Sequence, residues 1–333
     1  MTRGFLNFMQ DFPDYDKAEK SWHITLDRSD FFWYDLVVKP PSEDAGKALK
    51  KHLNDFKNFV ELNNEKRFIY FFSTREKVRF NIKKQPRFVM FSKRKMYVHL
   101  LMGNNVKKKV GICFPYDIPG KVTVDEKFIY LYDEDENSIA YSVHDFLKIC
   151  KINLGIDSKL LYVGITEDPV ARTLGRKHRG LTDILYNVPT SENDIFLTVN
   201  TFKVGCYTNF KNNNINIMST NSMIYDIPLD KEGLVIEKAL IYYFKSEFQE
   251  SDKKAWGEFR NLLKMMKEKK NICLVSFHLE LNEPTEYDVI GSKEVRPRIS
   301  HSFLWQLNNN EPSLIIFDNE IDIMKYSGVL KDI

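Results

Sequence analysis

The stretch KLLYVGITEDPVARTLGRKH, from Lys159 to His178, commits the chain to a strand and a helix with almost nothing between them. Leu160 to Val163 has the length and composition of a strand, and Gly164 permits a tight exit from it. Thr166 or Asp168 then stands where a helix N-cap belongs, with Pro169 at a first-turn position that tolerates proline. On the helix that follows, Arg172, Arg176 and Arg179 fall at i, i+4 and i+7 and share one face. Taken alone, that is an ordinary amphipathic helix with a basic exposed side.

The rest of the chain divides into three parts by pattern. Residues 1–124 carry a helical stretch, AGKALKKHLNDFKNFVEL, followed by the short strands RFIYFF, KVRFNI, RFVMF and MYVHLL and closed by the turn YDIPGK. Residues 125–270 open with a strand, an acidic turn and a second strand in KFIYLYDEDENSIAYSV. They continue through a helix at HDFLKICKIN, the Leu160 strand and its helix, the strand DIFLTVNTFKV, an Asn-rich loop and the helix EGLVIEKALIYYFKSEF. Residues 271–333 return to strand signals in ICLVSFHLEL, HSFLWQL and SLIIF. The expected class is α+β, with a basic, mainly β N-terminal domain, a middle domain and a β-rich C-terminal extension packed on it.

With 333 residues, 43% of them hydrophobic, a sizeable core is available. No run of about 18 apolar residues exists to cross a bilayer, and the N-terminus MTRGFLNFMQDFPDYDK lacks the apolar centre of a signal peptide. A cytoplasmic location with no membrane partner is therefore expected. Cys113, Cys150, Cys206 and Cys273 are scattered, without the C-x-x-C spacing of a zinc or redox motif. The net charge of +3 conceals a polarised chain: between Gly46 and Val110 there are 18 basic residues against 4 acidic ones, leaving −11 for the remainder. Such a field gathers a polyanion on one side, and Lys93, Arg94 and Lys95 mark the platform. The aromatic residues interleaved there alternate at strand spacing and are read as core.

One carboxylate stands where an apolar side chain belongs. In EGLVIEKALIYYF, Glu237 shares its helical face with Leu234, Leu240 and Ile241. Burying an unpaired charge costs several kcal/mol, comparable to the net stability of a domain. Glu237 must meet a partner: a lysine or arginine in a buried ion pair, or a metal whose shell phosphate oxygens complete.

Taken in order, these residues resemble the GIY-YIG nuclease superfamily. Tyr162-Val163-Gly164 is similar to the family's second signature, Arg172 to its arginine, His178 to the histidine that often follows, and Glu237-Lys238-Ala239-Leu240-Ile241 to its E-x-x-L-I glutamate helix. The best match to the first signature is Phe128-Ile129-Tyr130, or Tyr132, with HDFLKICKIN inserted before the second. The resemblance covers about residues 127–250.

It implies a small antiparallel sheet flanked by helices, with two tyrosines on adjacent strands facing a site that also receives the arginine and the glutamate. It further implies a metal-dependent endonuclease hydrolysing phosphodiester bonds, with DNA preferred to RNA. Glu237 would hold Mg²⁺ or Mn²⁺, Arg172 would meet the non-bridging oxygens, Tyr130 or Tyr162 would orient the attacking water, and His178 would contact the phosphate. Arg176 and Arg179 would add contacts to nucleic acid. Restriction or phage defence is the setting that suits such an enzyme, with a second copy or a defence-system component as further partner. The alternative is a degenerate copy of the fold that binds nucleic acid or a protein partner without turnover.

Overall fold

In the computed structural model, the polypeptide is described over residues 3–62, 68–90, 92–114, 118–174, 184, 186–210, 215–249 and 253–330, apart from the side chains of 59–62, 93, 172–174, 215, 253 and 254. The strands in chain order are β1 (Glu19–Trp33), β2 (Phe68–Glu76), β3 (Val78–Phe80), β4 (Arg87–Val89), β5 (Ser92–Met102), β6 (Val106–Cys113), β7 (Lys121–Val124) and β8 (Phe128–Tyr132). They continue with β9 (Ser138–Ser142), β10 (Ser158–Thr166), β11 (Asn193–Phe210), β12 (Ile215–Thr220), β13 (Ile272–Leu279), β14 (Ile290–Gly291), β15 (His301–Asn308) and β16 (Glu311–Phe317).

Among the described residues, nine of these strands form one mixed sheet in the order β14-β10-β2-β11-β1-β13-β15-β16, with β12 paired to β11. The class is α+β, as the pattern of elements indicated. The sheet is larger than the small antiparallel one expected, and it draws strands from all three sequence parts. The boundary placed after 124 falls between β7 and β8 of one small sheet, and the one after 270 between the helix Lys253–Lys270 and β13. Two smaller sheets, β3-β5-β4 with β6 on β5, and β7-β8-β9, come from the segment between β2 and β10.

Helices cover both faces at the centre of the large sheet. The helix Leu229–Phe244 packs Val235, Ile236, Ala239, Leu240 and Phe244 into one core with Ile69, Phe71, Leu160 and Val163, and the helix Lys253–Lys270 adds Phe259, Leu263 and Met266. On the other face, Tyr34, Val37 and Phe56 pack against Phe68, Tyr70, Phe72, Leu161 and Leu197. Burial from both sides explains why FIYFF reads as an unbroken apolar run, as strands covered on both faces do.

A buried polar network joins the inserted segment to the large sheet. Asp194 on β11 accepts from Arg79 Nη1 and Nη2 at 2.7 and 2.8 Å, from the Val78 backbone N–H at 3.1 Å and from His144 Nε2 at 3.0 Å. Burial drives the His144 imidazole towards its neutral form, so Nε2 carries the proton given to Asp194 and Nδ1 accepts from the Tyr287 hydroxyl at 3.0 Å. Burial pushes the Asp194 carboxyl up, but the hydrogen bonds from His144 and Arg79 outweigh it and hold it at about 2. A carboxyl depressed in the folded state adds stability above its unfolded value of about 3.9 and loses it as the pH falls through the folded value. Urea melts of the parent should therefore lose about 2 kcal/mol between pH 4 and pH 2 that Asp194→Asn does not lose. At neutral pH, Asp194→Ala should cost about 3–5 kcal/mol by stranding Arg79. A variant whose acid limb superimposes on the parent's would show that the network is neutral.

Candidate functional site

β10 and β2 run antiparallel, with Gly164 opposite Tyr70 and Tyr162 opposite Phe72. The Tyr70 and Tyr162 rings are therefore diagonal neighbours, stacked with centroids 6.0 Å apart and planes at 19°. Gly164 makes this possible: a Cβ there would lie 2.3 Å from the Tyr70 hydroxyl and 2.4 Å from Cζ. Gly164 is thus a site of close approach inside the strand and not its exit, because β10 stays paired to β2 as far as Thr166. Tyr70 is only 2% exposed, while Tyr162 above it is half-buried.

The strand passes into the helix Pro169–Leu174 as expected. Asp168 is the cap, accepting from the Ala171 backbone N–H at 2.9 Å, and Lys57 pairs with its other oxygen at 2.9 Å. These two contacts, the backbone hydrogen bond first, hold the Asp168 carboxyl below its ordinary range. Arg172 lies on this helix with its side chain outside the described residues, and Arg176, His178 and Arg179 also lie outside them.

Glu237 comes from the helix Leu229–Phe244 on the opposite sheet face and is half-buried. Its Oε1 accepts from the Ile165 backbone N–H at 3.0 Å, so the carboxylate meets β10 one residue beyond Gly164. Gln249 holds the same strand from its edge, bonding the Val163 N–H at 2.7 Å and the Val163 carbonyl at 2.5 Å. Gln249 thereby substitutes for a neighbouring strand where β14 has stopped pairing.

Tyr130 is not part of this place. It lies on β8, in the three-stranded sheet, and donates to Asp125 Oδ2 at 2.8 Å. That hydrogen bond, with burial second, pushes its hydroxyl up to about 12, so it is a poor base near neutrality. Tyr132 shares β8 with it. The neighbour of Tyr162 is Tyr70, from the run Phe68-Ile69-Tyr70. The same Ile-Tyr signal was present in the sequence there, but residues 77–157 separate its strand from β10.

Arg94 and Lys95 are exposed on β5, whereas the Lys93 side chain lies outside the described residues. Among the described residues, no group of three His, Cys, Asp or Glu side chains is placed to hold a metal ion. Glu237 offers carboxylate oxygens, the donor type that hard cations such as Mg²⁺ and Mn²⁺ take from a protein. No helix among the described residues is long and apolar enough to cross a membrane. No family model, no curated protein and no solved structure matches this chain significantly.

Gly164→Ala should destabilise the protein by about 1–3 kcal/mol, because the buried Tyr70 ring has no room to give. Tyr70→Leu in the same chain should recover part of that loss in a urea-denaturation cycle. Additive effects of the two substitutions would mean that the phenol and the glycine do not constrain each other.

Proposed function

We propose that this protein is a metal-dependent endonuclease of the GIY-YIG kind, hydrolysing phosphodiester bonds of DNA at the exit of β10. One observation carries the reading. Tyr70 and Tyr162 stack across adjacent antiparallel strands over a glycine, and the Glu237 carboxylate is bonded to the next residue of that same strand. The antiparallel trio β10-β2-β11, embedded in the larger sheet, takes the part of the family's small sheet, and the helix bearing Arg172 leaves from it.

Within this reading, Tyr162 orients the attacking water and Tyr70 is a positioning residue beneath it, since its burial keeps it from solvent. Arg172 supplies a planar cation to the non-bridging oxygens as negative charge builds on the phosphorus, and His178 contacts the phosphate. Glu237 is the residue that would hold Mg²⁺ or Mn²⁺. Such a cation supplies charge compensation for the phosphate and the leaving oxygen. The burial of Tyr70 also favours a second reading, a degenerate copy that binds nucleic acid without cleaving it.

Glu237→Gln retains an oxygen acceptor for the Ile165 N–H while removing the negative charge. It should abolish Mg²⁺- or Mn²⁺-dependent nicking of supercoiled plasmid, and its melting temperature should stay within a few degrees of the parent's. Arg172→Ala should slow nicking by about a hundredfold or more. Full activity in Glu237→Gln would remove the nuclease reading. A parent that binds DNA but cleaves neither DNA nor RNA with any divalent ion would establish the degenerate one.

A further inference from the structure

From Lys77 to Tyr116 the chain contains eleven lysines and arginines and not one aspartate or glutamate. Folding sorts these charges by face. In β5 and β6, Met96, Val98, Leu100, Val110 and Ile112 point into a core. The register therefore puts Lys95, Tyr97, His99, Lys107 and Lys109 on the outward face, with Arg87 of β4 opposite Tyr97.

The Tyr97 ring lies across Gly111, where a Cβ would stand 3.3 Å from Cε1. Lys109 Nζ sits 3.6 Å from the centre of that ring and Lys95 Nζ 5.9 Å from it. His99 reports the same crowding: burial first, then Lys84, Lys109 and Arg87, hold its imidazole below the ordinary range. Among the described residues, no ion pair engages Lys84, Arg87, Lys95, Lys107 or Lys109, whereas the one cation of this segment that is buried, Arg79, is paired to Asp194.

Alternate residues of a strand repeat about every 7 Å and neighbouring strands lie about 5 Å apart, so these cations form a flat array and not a pocket. An extended polyanion with regularly repeating charges matches such an array, and a small anion does not. The exposed apolar residues Ile82, Met90 and Val106 of this segment lie at three separate places in the chain, after β3, before β5 and at the start of β6.

We infer that the outward face of β4, β5 and β6 is a nucleic-acid-binding surface that grips the phosphate backbone without reading sequence. This rests on the nuclease reading for the choice of nucleic acid among polyanions. Tyr97 acts as the support that keeps Lys95 and Lys109 raised over Gly111.

The test uses the full chain carrying Glu237→Gln, in EDTA, titrated against a fluorescein-labelled duplex DNA by anisotropy, and two charge-matched double variants. Lys107→Glu/Lys109→Glu removes cations from the proposed face, whereas Lys108→Glu/Lys325→Glu makes the same charge change off that face, at a position that alternates onto the other side of β6 and at an exposed one on the helix Glu320–Tyr326. The first pair should weaken binding by at least about tenfold at low salt and reduce the salt slope by about 2, and the second should stay within about threefold of the parent. Lys107→Gln/Lys109→Gln should give a smaller loss of the same kind, which covers the case in which the reversed charges disturb folding. Equal losses in the two charge-reversed pairs would overturn the inference, because net charge and not the face would then decide. Binding of phosphatidylserine vesicles without binding of duplex would also overturn it, in favour of a membrane surface. Plasmid nicking by the same pairs in the Glu237 background separates the two readings: a parent that binds through this face but never cuts loses only the nuclease, and one that cuts while the face variants still bind loses only the face.

Discussion

The antiparallel pairing of Glu19–Trp33 with Asn193–Phe210 is the contact on which the other elements depend. Their register runs from Glu19 opposite Asn209 to Trp33 opposite Phe196. Because β11 also pairs with β2, and β2 with β10, the place of Tyr70 and Tyr162 is set two strands away from this seam. On its other side β1 carries β13 in parallel and so recruits the C-terminal strands. Residues far apart in sequence must meet before any of this exists, a topology that folds slowly because loop closure precedes the reward of pairing.

That seam was also the part least legible in the sequence. Asp27, Arg28 and Asp30 lie in the middle of β1, which breaks the apolar alternation that marks a strand, and the register shifts between Leu26 and Arg28 at the same spot. By contrast, ICLVSFHL, HSFLWQLN and FIYFF are apolar runs bounded by turn signals, and they are strands. In the helix Lys253–Lys270, Trp256, Phe259, Leu263 and Met266 recur at helical spacing, but the basic residues that dominate the rest of it obscure the pattern. The strand holding Tyr130 is legible in the local pattern KFIYLY, but which strand it neighbours is a property of topology. Residues 77–157 leave the large sheet after β2 and build two sheets of their own before β10 returns.

Glu237 shows how far a local pattern reaches. Its place in an apolar stripe demanded a partner, and the structure supplies the backbone N–H of Ile165. That bond fixes the carboxylate against β10, one residue beyond Gly164, and partial burial lowers the cost of keeping a charge there.

The same logic explains why the inserted segment is fastened by charge and not by apolar packing alone. Among the described residues, Arg79 is the one buried cation of the acid-free run from Lys77 to Tyr116, and Asp194, at the start of β11, takes it up together with His144 of the helix Val143–Ile149. Apolar surfaces tolerate sliding, but a bidentate arginine–carboxylate pair has one geometry. Fixing β3 to β11 in this way fixes the basic sheet to the strand that also carries β2. A polyanion lying on Lys107 and Lys109 would then be held in a constant relation to Tyr162 and Glu237, because a buried hydrogen-bonded pair and not a flexible linker separates the two.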